Sequence, residues 1–378
     1  VSGLAGSAGG QRQPALDLIK IALTLTGGVG GVIVLVVAYR KQRLGEAAER
    51  REVAASRREE IKLFTERFMK AAEQLGNATA TVRLAGVYAM ADLADESIER
   101  RQTCINVLCG HLRMHCSSEP PVDPVDLAQW RGERQVRHTI FRVIADHLRE
   151  DAPTSWQGHD FDFTGALIDG ADFHEIRVTG GNITFQEAVF PRGKVDFDGA
   201  IFSGGVIDFS NASVSGGTVN FGCVKFAGSV VHFFETEVHD GGLDFSYTRL
   251  SAGALNLDDM ILSSGRIDFH NATFIGARVT FSCTKFDGAH MSFREAKFRA
   301  GSLALGDCQF SSGSSVEFGQ AEFAGGYVGI HRASYSGGVL NFADPTSWDT
   351  PPEIDLTSKG ALAAVRMPGF VAERPVPA

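Results

Sequence analysis

The sequence predicts an α plus all-β solenoid: an N-terminal transmembrane helix and helical domain, then a right-handed, four-sided β-helix. Three observations lead there. Large apolar residues recur at fixed steps from about residue 160 to 343. The composition holds 27 Phe and 43 Gly against only 5 Tyr and 3 Trp. Phe fills interiors without a polar atom to satisfy, and Gly suits tight corners, so the pair points to a repeat architecture. Finally, residues 21–39 (IALTLTGGVGGVIVLVVAY) form an uncharged run near the N-terminus.

That apolar run, within a segment of residues 15–40, is long enough as a helix to cross the ~30 Å hydrocarbon core. Its four glycines are compatible with a membrane helix and with close helix contact. Arg40 and Lys41 follow it where a signal peptide would carry small residues, so a retained anchor is expected. Positive charge is concentrated after the run, at Arg40, Lys41, Arg43, Arg50 and Arg51, which puts the large domain on the cytoplasmic side. Residues 1–14 carry no periodic pattern and are expected to be disordered.

Residues 41–150 read as a helical stalk and helical domain. Ile61, Phe64, Phe68 and Leu75 make an apolar stripe at helical spacing. Further helices are expected over 79–96, 100–115 and 125–148, with SSEPPVDP breaking the pattern between the last two. His111 and His115 share a helix face near Cys109 and Cys116, a usable but incomplete zinc set. Packing of Cys104, Leu108 and Leu112 on that helix explains the cysteines better. The six cysteines form no dense framework, so reduced thiols are expected.

The repeat starts simply: Phe163, Ile168, Phe173 and Val178 stand five residues apart. From Phe185 the step alternates five and seven through Phe190, Phe197, Phe202, Phe209, Val214, Phe221 and Phe226, and so on to Phe342, with one extra residue before Phe318. Positions two apart on a strand point the same way, so Val195 beside Phe197 and Ala200 beside Phe202 both face inward. Phe197, Phe202, Phe209, Phe221, Phe226, Phe245, Phe269, Phe281 and Phe293 form the expected core stack. Gly pairs such as Gly204-Gly205, Gly216-Gly217 and Gly241-Gly242 are expected to supply positive φ at the corners between units. VIDFSNASV at 206–214 returns as RIDFHNATF at 266–274, sixty residues on, so several units were copied together. Twelve residues enclose too little space for two large side chains. A 24-residue coil is therefore expected, in roughly seven coils, with residues from 344 onward forming a cap and a disordered tail.

The A-x-(L/I/F) register of Ala166–Ile168 and Ala171–Phe173 resembles the bacterial pentapeptide-repeat family, most specifically in this first segment. The resemblance implies a right-handed quadrilateral β-helix with the large residue and the small residue two before it inside. The order span, charged helix, helical domain and repeat is similar to membrane-anchored actinobacterial members. Some members of the family resemble DNA in shape and charge and bind DNA gyrase. From Phe185 onward this chain departs from the family pattern by inserting two residues into every second pentapeptide.

Charge divides along the chain. Residues 1–150 carry 21 Lys+Arg and 18 Asp+Glu, whereas residues 151–345 carry 12 and 23. An acidic repeat repels nucleic acid, so no direct nucleic-acid binding is expected. At the expected coil length, Asp196, Asn220, Asp244, Asp268, Ser292, Glu317 and Asn341 fall in one outward column. Of these, Asp196, Asn220, Asp244, Asp268 and Glu317 are the candidate partner-facing positions. Asp and Asn on an outer face also serve plain solvation. The opposite column, through Asp208, His232, Asn256, Thr280, Ala304 and Gly329, is nearly neutral.

The resulting functional expectation is a non-enzymatic, membrane-tethered scaffold for an unknown protein partner, with a homo-oligomer left open. The alternative is a DNA-mimic inhibitor of a DNA-processing enzyme such as gyrase. A carbohydrate-active β-helix enzyme would need clustered carboxylates. Asp258-Asp259 with Arg249 and Arg266 is the nearest approach, and surface scatter accounts for it better. No Gly-rich phosphate loop, HExxH or nucleophile elbow is present, so no catalytic, metal or cofactor residues are expected.

Overall fold

The computed structural model describes residues 13–114 and 116–369, with side chains of 13–16, 26, 27, 29–31, 33, 47 and 48 outside the description. The expected disorder of the N-terminal dozen residues and of the extreme C-terminus therefore lies outside the described residues. Two compact units are present, residues 1–67 and 68–378.

A single helix, α1 (Gln13–Leu75), contains both the apolar run and the charged stretch. Ala, Glu, Arg and Leu dominate residues 42–75, all good helix formers, and no Pro interrupts them. Among the described residues no helix is long and apolar enough to cross a membrane. Six residues inside the run 21–39 have undescribed side chains.

The end of α1 packs against α2 (Ala80–Glu96), where Gly86 allows the approach: an added Cβ would sit 2.5 Å from the Leu75 amide nitrogen. A 3-10 turn, Ile98–Arg100, leads into α3 (Arg101–Arg113). Next comes α4 (Pro124–Leu148), whose start is set by Asp123: its carboxylate accepts from the Val125 and Asp126 amides, and Pro124 takes the first helical position. The helices interlock through buried Val87, Met90, Ile105, Leu108, Ile140 and Ile144.

From Phe161 the chain winds into a parallel β-solenoid of about nine turns. Its strands form a nine-stranded sheet, a seven-stranded sheet and a thirteen-stranded sheet. Long strands of the last, such as Lys225–His232, carry a pairing irregularity in the middle, which divides it into a leading and a trailing half. The register has the expected coil length: Lys194 pairs with Thr218, and Thr218 with Gly242. The extra residue expected before Phe318 lies in the turn ahead of Ser315, so His290 pairs with Ser315, one position beyond the regular step.

Inside the solenoid, phenylalanines stack coil upon coil. Phe173, Phe197, Phe221, Phe245, Phe269, Phe293, Phe318 and Phe342 form one continuous column with centroids 4.4–5.1 Å apart. A second column, Phe163, Phe185, Phe209 and Phe233, meets the first edge to face, as at Phe197–Phe209 (6.3 Å, 87°). Phe202, Phe226 and Phe281 are equally buried. Each buried Phe contributes about 1.5–3 kcal/mol, and the offset geometry adds more. Where the small inward position becomes polar, the group finds a carbonyl: Thr236 donates to Phe209 O at 2.8 Å and Thr284 to Leu257 O at 2.8 Å.

The corners correct one expectation. Gly205, Gly216, Gly325 and Gly337 do have positive φ, but at Gly241-Gly242 the left-handed residue is Asp240. Another class of corner, two residues after the large core residue, turns mostly on non-glycine residues: Glu175, Glu187, Asn211, Cys223, Glu235, Tyr247, Asp259 and others, with φ near +57°. At Asn211 the Ala212 amide donates back to Phe209 O (3.0 Å), the signature of a type II turn. The Asn211 amide also donates to Phe234 O in the next coil (2.9 Å), so inter-coil bonding holds the strained residue in place.

The two ends differ. At the start, Phe141 of α4 lies on the first core rings, 5.4 Å from Phe163 and 5.8 Å from Phe173. At the other end the solenoid continues past the expected limit. Ser347–Trp348 pairs with Glu322–Phe323, Glu353 with Gly329, and Val365–Arg366 with Leu340–Asn341. The spacing signal fades there because Trp348 and Ile354 replace Phe, and loops of different length separate the strands.

Candidate partner-binding surface

The expected column exists as a register: Asp196–Asn220–Asp244–Asp268–Ser292–Glu317–Asn341 are successive pairing partners along the nine-stranded sheet. Its side chains, however, are engaged locally. Each residue precedes a buried Phe, and most accept the amide of the residue two further on, among them Asp196 from Asp198, Asn220 from Gly222, Asp244 from Ser246, and Asp268 from His270. These are Asx turns, which initiate the corner. The column is half-buried, and Asn220 is only 6% exposed.

Asn220 Nδ2 donates to Asp196 Oδ1 at 2.6 Å, and Asn341 Nδ2 to Glu317 Oε2 at 2.7 Å. Lys194 adds an ion pair to Asp196 at 2.8 Å. Burial pushes the Asp196 carboxyl up, but hydrogen bonds from Lys194 and Asn220 outweigh it and hold it below the usual range. The opposite column uses the same device: Asp208 accepts from Ser210, and Asn256 from Asp258.

Asp258 and Asp259 sit in a corner, Arg249 opens a strand of the thirteen-stranded sheet, and Arg266 opens one in the nine-stranded sheet. Asp258 Oδ1 is committed to the Ser282 amide at 2.6 Å. The fold therefore separates this set across two sheets and a corner rather than gathering it on one face.

In the helical domain, His111 Nε2 lies 3.0 Å from Glu133, which also pairs with Arg83. Cys109 is buried and its thiol is pushed up to about 12 by that burial. His115 lies outside the described residues, and among the described residues no group of His, Cys, Asp and Glu is placed to hold a metal.

Sequence reasoning did not find the polar junction between α4 and the first coil. Asp169 receives Arg134 Nε at 2.5 Å and His138 Nε2 at 2.7 Å. Arg137 Nη2 donates to the carbonyls of Leu112 (2.7 Å) and Leu167 (2.8 Å), joining α3, α4 and the solenoid. Cys116, Trp130, Glu133, Arg134 and Asp169 line a small cleft there. Only an unusual density of His and Arg along 131–142 signals it in the sequence.

Residues 163–213 match the family described as pentapeptide repeats (9 copies), and the chain carries that repeat there. The match extends past Phe185 into the five-and-seven step, and the same coil continues beyond it to Arg366. No curated protein and no solved structure matches the chain.

Proposed function

We propose that this pentapeptide-repeat chain is a non-enzymatic scaffold, tethered to a membrane by α1, which presents the outside of its solenoid to a protein partner. The observation that carries the scaffold reading is the coil-to-coil register, which sets outward side chains in straight columns on a rigid, ring-stacked core. Exposed aromatic groups stand on that surface, with Tyr247 56% and Tyr327 40% exposed. Aromatic side chains of this kind anchor protein interfaces. A right-handed, four-sided winding is part of the proposal, in keeping with the strong preference of parallel crossovers for that hand.

Tethering is supported by apolar exposure along α1: Leu18, Ile21, Leu23, Leu25, Val34 and Leu35 are all more than half exposed, a poor arrangement in water. The basic residues after the run favour a cytoplasmic solenoid. Full-length protein should sediment with membranes and resist carbonate extraction. Recovery in the soluble fraction would remove the tether. Used as bait from solubilised membranes, the full chain should retain one partner in stoichiometric amount, and a wild-type bait that retains none would remove the scaffold reading.

The DNA-mimic alternative draws on the stacked carboxylates Asp244 and Asp268, which adjoin along the column without an Asn between them. It predicts inhibition of gyrase supercoiling by micromolar full-length protein.

A further inference from the structure

We propose that a second copy of this chain binds alongside the first, solenoid to solenoid, parallel and in coil register, through two charged columns of opposite sign. The first column opens the leading half of the thirteen-stranded sheet, where Arg177, Ile201, Lys225, Arg249, Thr273, Lys297 and Glu322 are successive pairing partners. The second follows ten residues later in each coil, at the left-handed corner. Its members stack through amide bonds, as from Glu235 to Asp258 O and from Asp259 to Ser282 O.

Coil by coil, the two columns are complementary. Arg177 goes with Glu187, Lys225 with Glu235, Arg249 with Asp259, and Lys297 with Asp307. Where the first column is uncharged, so is the second: Ile201 goes with Asn211, and Thr273 with Cys283. In the coil where the first column turns acidic, at Glu322, the second turns basic, at Arg332.

Pairing within one chain does not account for this match. Among the described residues Arg177 pairs with Glu150, Arg332 with Asp307, and Glu322 with Arg299. Lys225, Arg249, Glu235 and Asp259 are exposed and have no ion-pair partner among the described residues. Like charges repeated at strand spacing cost stability along each column, and an opposite column in the same register offsets that cost. A simple polyanion or polycation would engage one column and give no reason for the other to mirror it. A second copy shifted sideways, at the same level, meets both requirements. The contact is heterologous, so each copy keeps one column free for the next.

The test is sedimentation velocity on the full chain in detergent. Wild-type protein should associate at about 20 mM salt and dissociate at about 300 mM, where screening is short-ranged. The double variants Lys225→Glu/Arg249→Glu and Glu235→Lys/Asp259→Lys should each associate about tenfold more weakly or less. Mixed in equal amounts, they should associate again, because one carries two acidic columns and the other two basic ones. Register is read from Thr273→Cys: mild oxidation should join it to Cys283 of a second chain. A monomeric wild type at low salt, double variants that associate normally, or a mixture that stays apart would overturn the proposal. A disulfide formed to Cys223, which lies on the other column of left-handed corners, instead of Cys283 would overturn the assignment of the contact face.

Discussion

Asn220 hydrogen-bonds in two directions at once: its Nδ2 donates to Asp196 Oδ1 one coil away at 2.6 Å, while its Oδ1 accepts the Gly222 amide at 3.1 Å. The first bond relieves stacking between carboxylates and the second starts the corner. Asn220→Asp keeps the second and loses the first, placing four carboxylates in a row with Asp196, Asp244 and Asp268. The expected cost is about 1–3 kcal/mol at neutral pH, since a half-buried acceptor loses its donor and gains a like charge. Denaturant melts should show the deficit shrinking as pH falls into the carboxylate range, and a deficit independent of pH would refute the charge component.

Phe245 lies mid-column, 4.8 Å from Phe221 and 4.7 Å from Phe269. Phe245→Ala should cost about 3–5 kcal/mol, because a cavity between stacked coils cannot collapse without breaking strand register. Phe234→Ala, at a residue 37% exposed, should cost far less. Urea unfolding of the two variants measures the contrast, and equal losses would argue against the stack as the main stabilising element.

Asp169 gives the junction an acid dependence. Burial raises its carboxyl, but hydrogen bonds from His138 and Arg134 lower it further, to about 2. Because the folded value lies below the ordinary 3.8, its stabilisation is complete above that value and disappears as pH falls through about 4 to 2. Trp130 lines the same cleft, so its fluorescence should report loosening in this window. In Asp169→Asn the fluorescence change between pH 4 and 2 should be smaller than in the wild type.

Cys223 occupies a corner with φ 56° and an exposed side chain. Cys223→Gly should be neutral or slightly stabilising, because glycine adopts this conformation without steric cost. Cys223→Val should lose about 1–2 kcal/mol through β-branched strain at the same φ. Thermal melts rank the three proteins, and a valine variant as stable as the glycine variant would contradict the strained-corner account.

Much of the solenoid is legible in residue spacing. The steps of five and seven give the inward positions, and the space needed by paired large side chains gives the length of one coil. The corners are less legible, because a left-handed Glu235 or Cys223 looks like any surface residue. Only the inter-coil amide bonds reveal why it is tolerated. The column from Asp196 to Asn341 could be aligned from sequence, but not the diversion of its side chains into Asx turns, since a carboxylate facing a partner and one capping an amide have the same letter.

The sequence by itself determined the repeat, the coil length and the ring-filled interior, because these follow from periodic burial of large apolar groups along a chain of fixed geometry. Tertiary structure alone decided how the solenoid is closed by Phe141 and prolonged by Val365–Arg366, and which acids and bases share a level on its surface. Those relationships join residues far apart in the chain, and they exist only once winding has set the coils side by side.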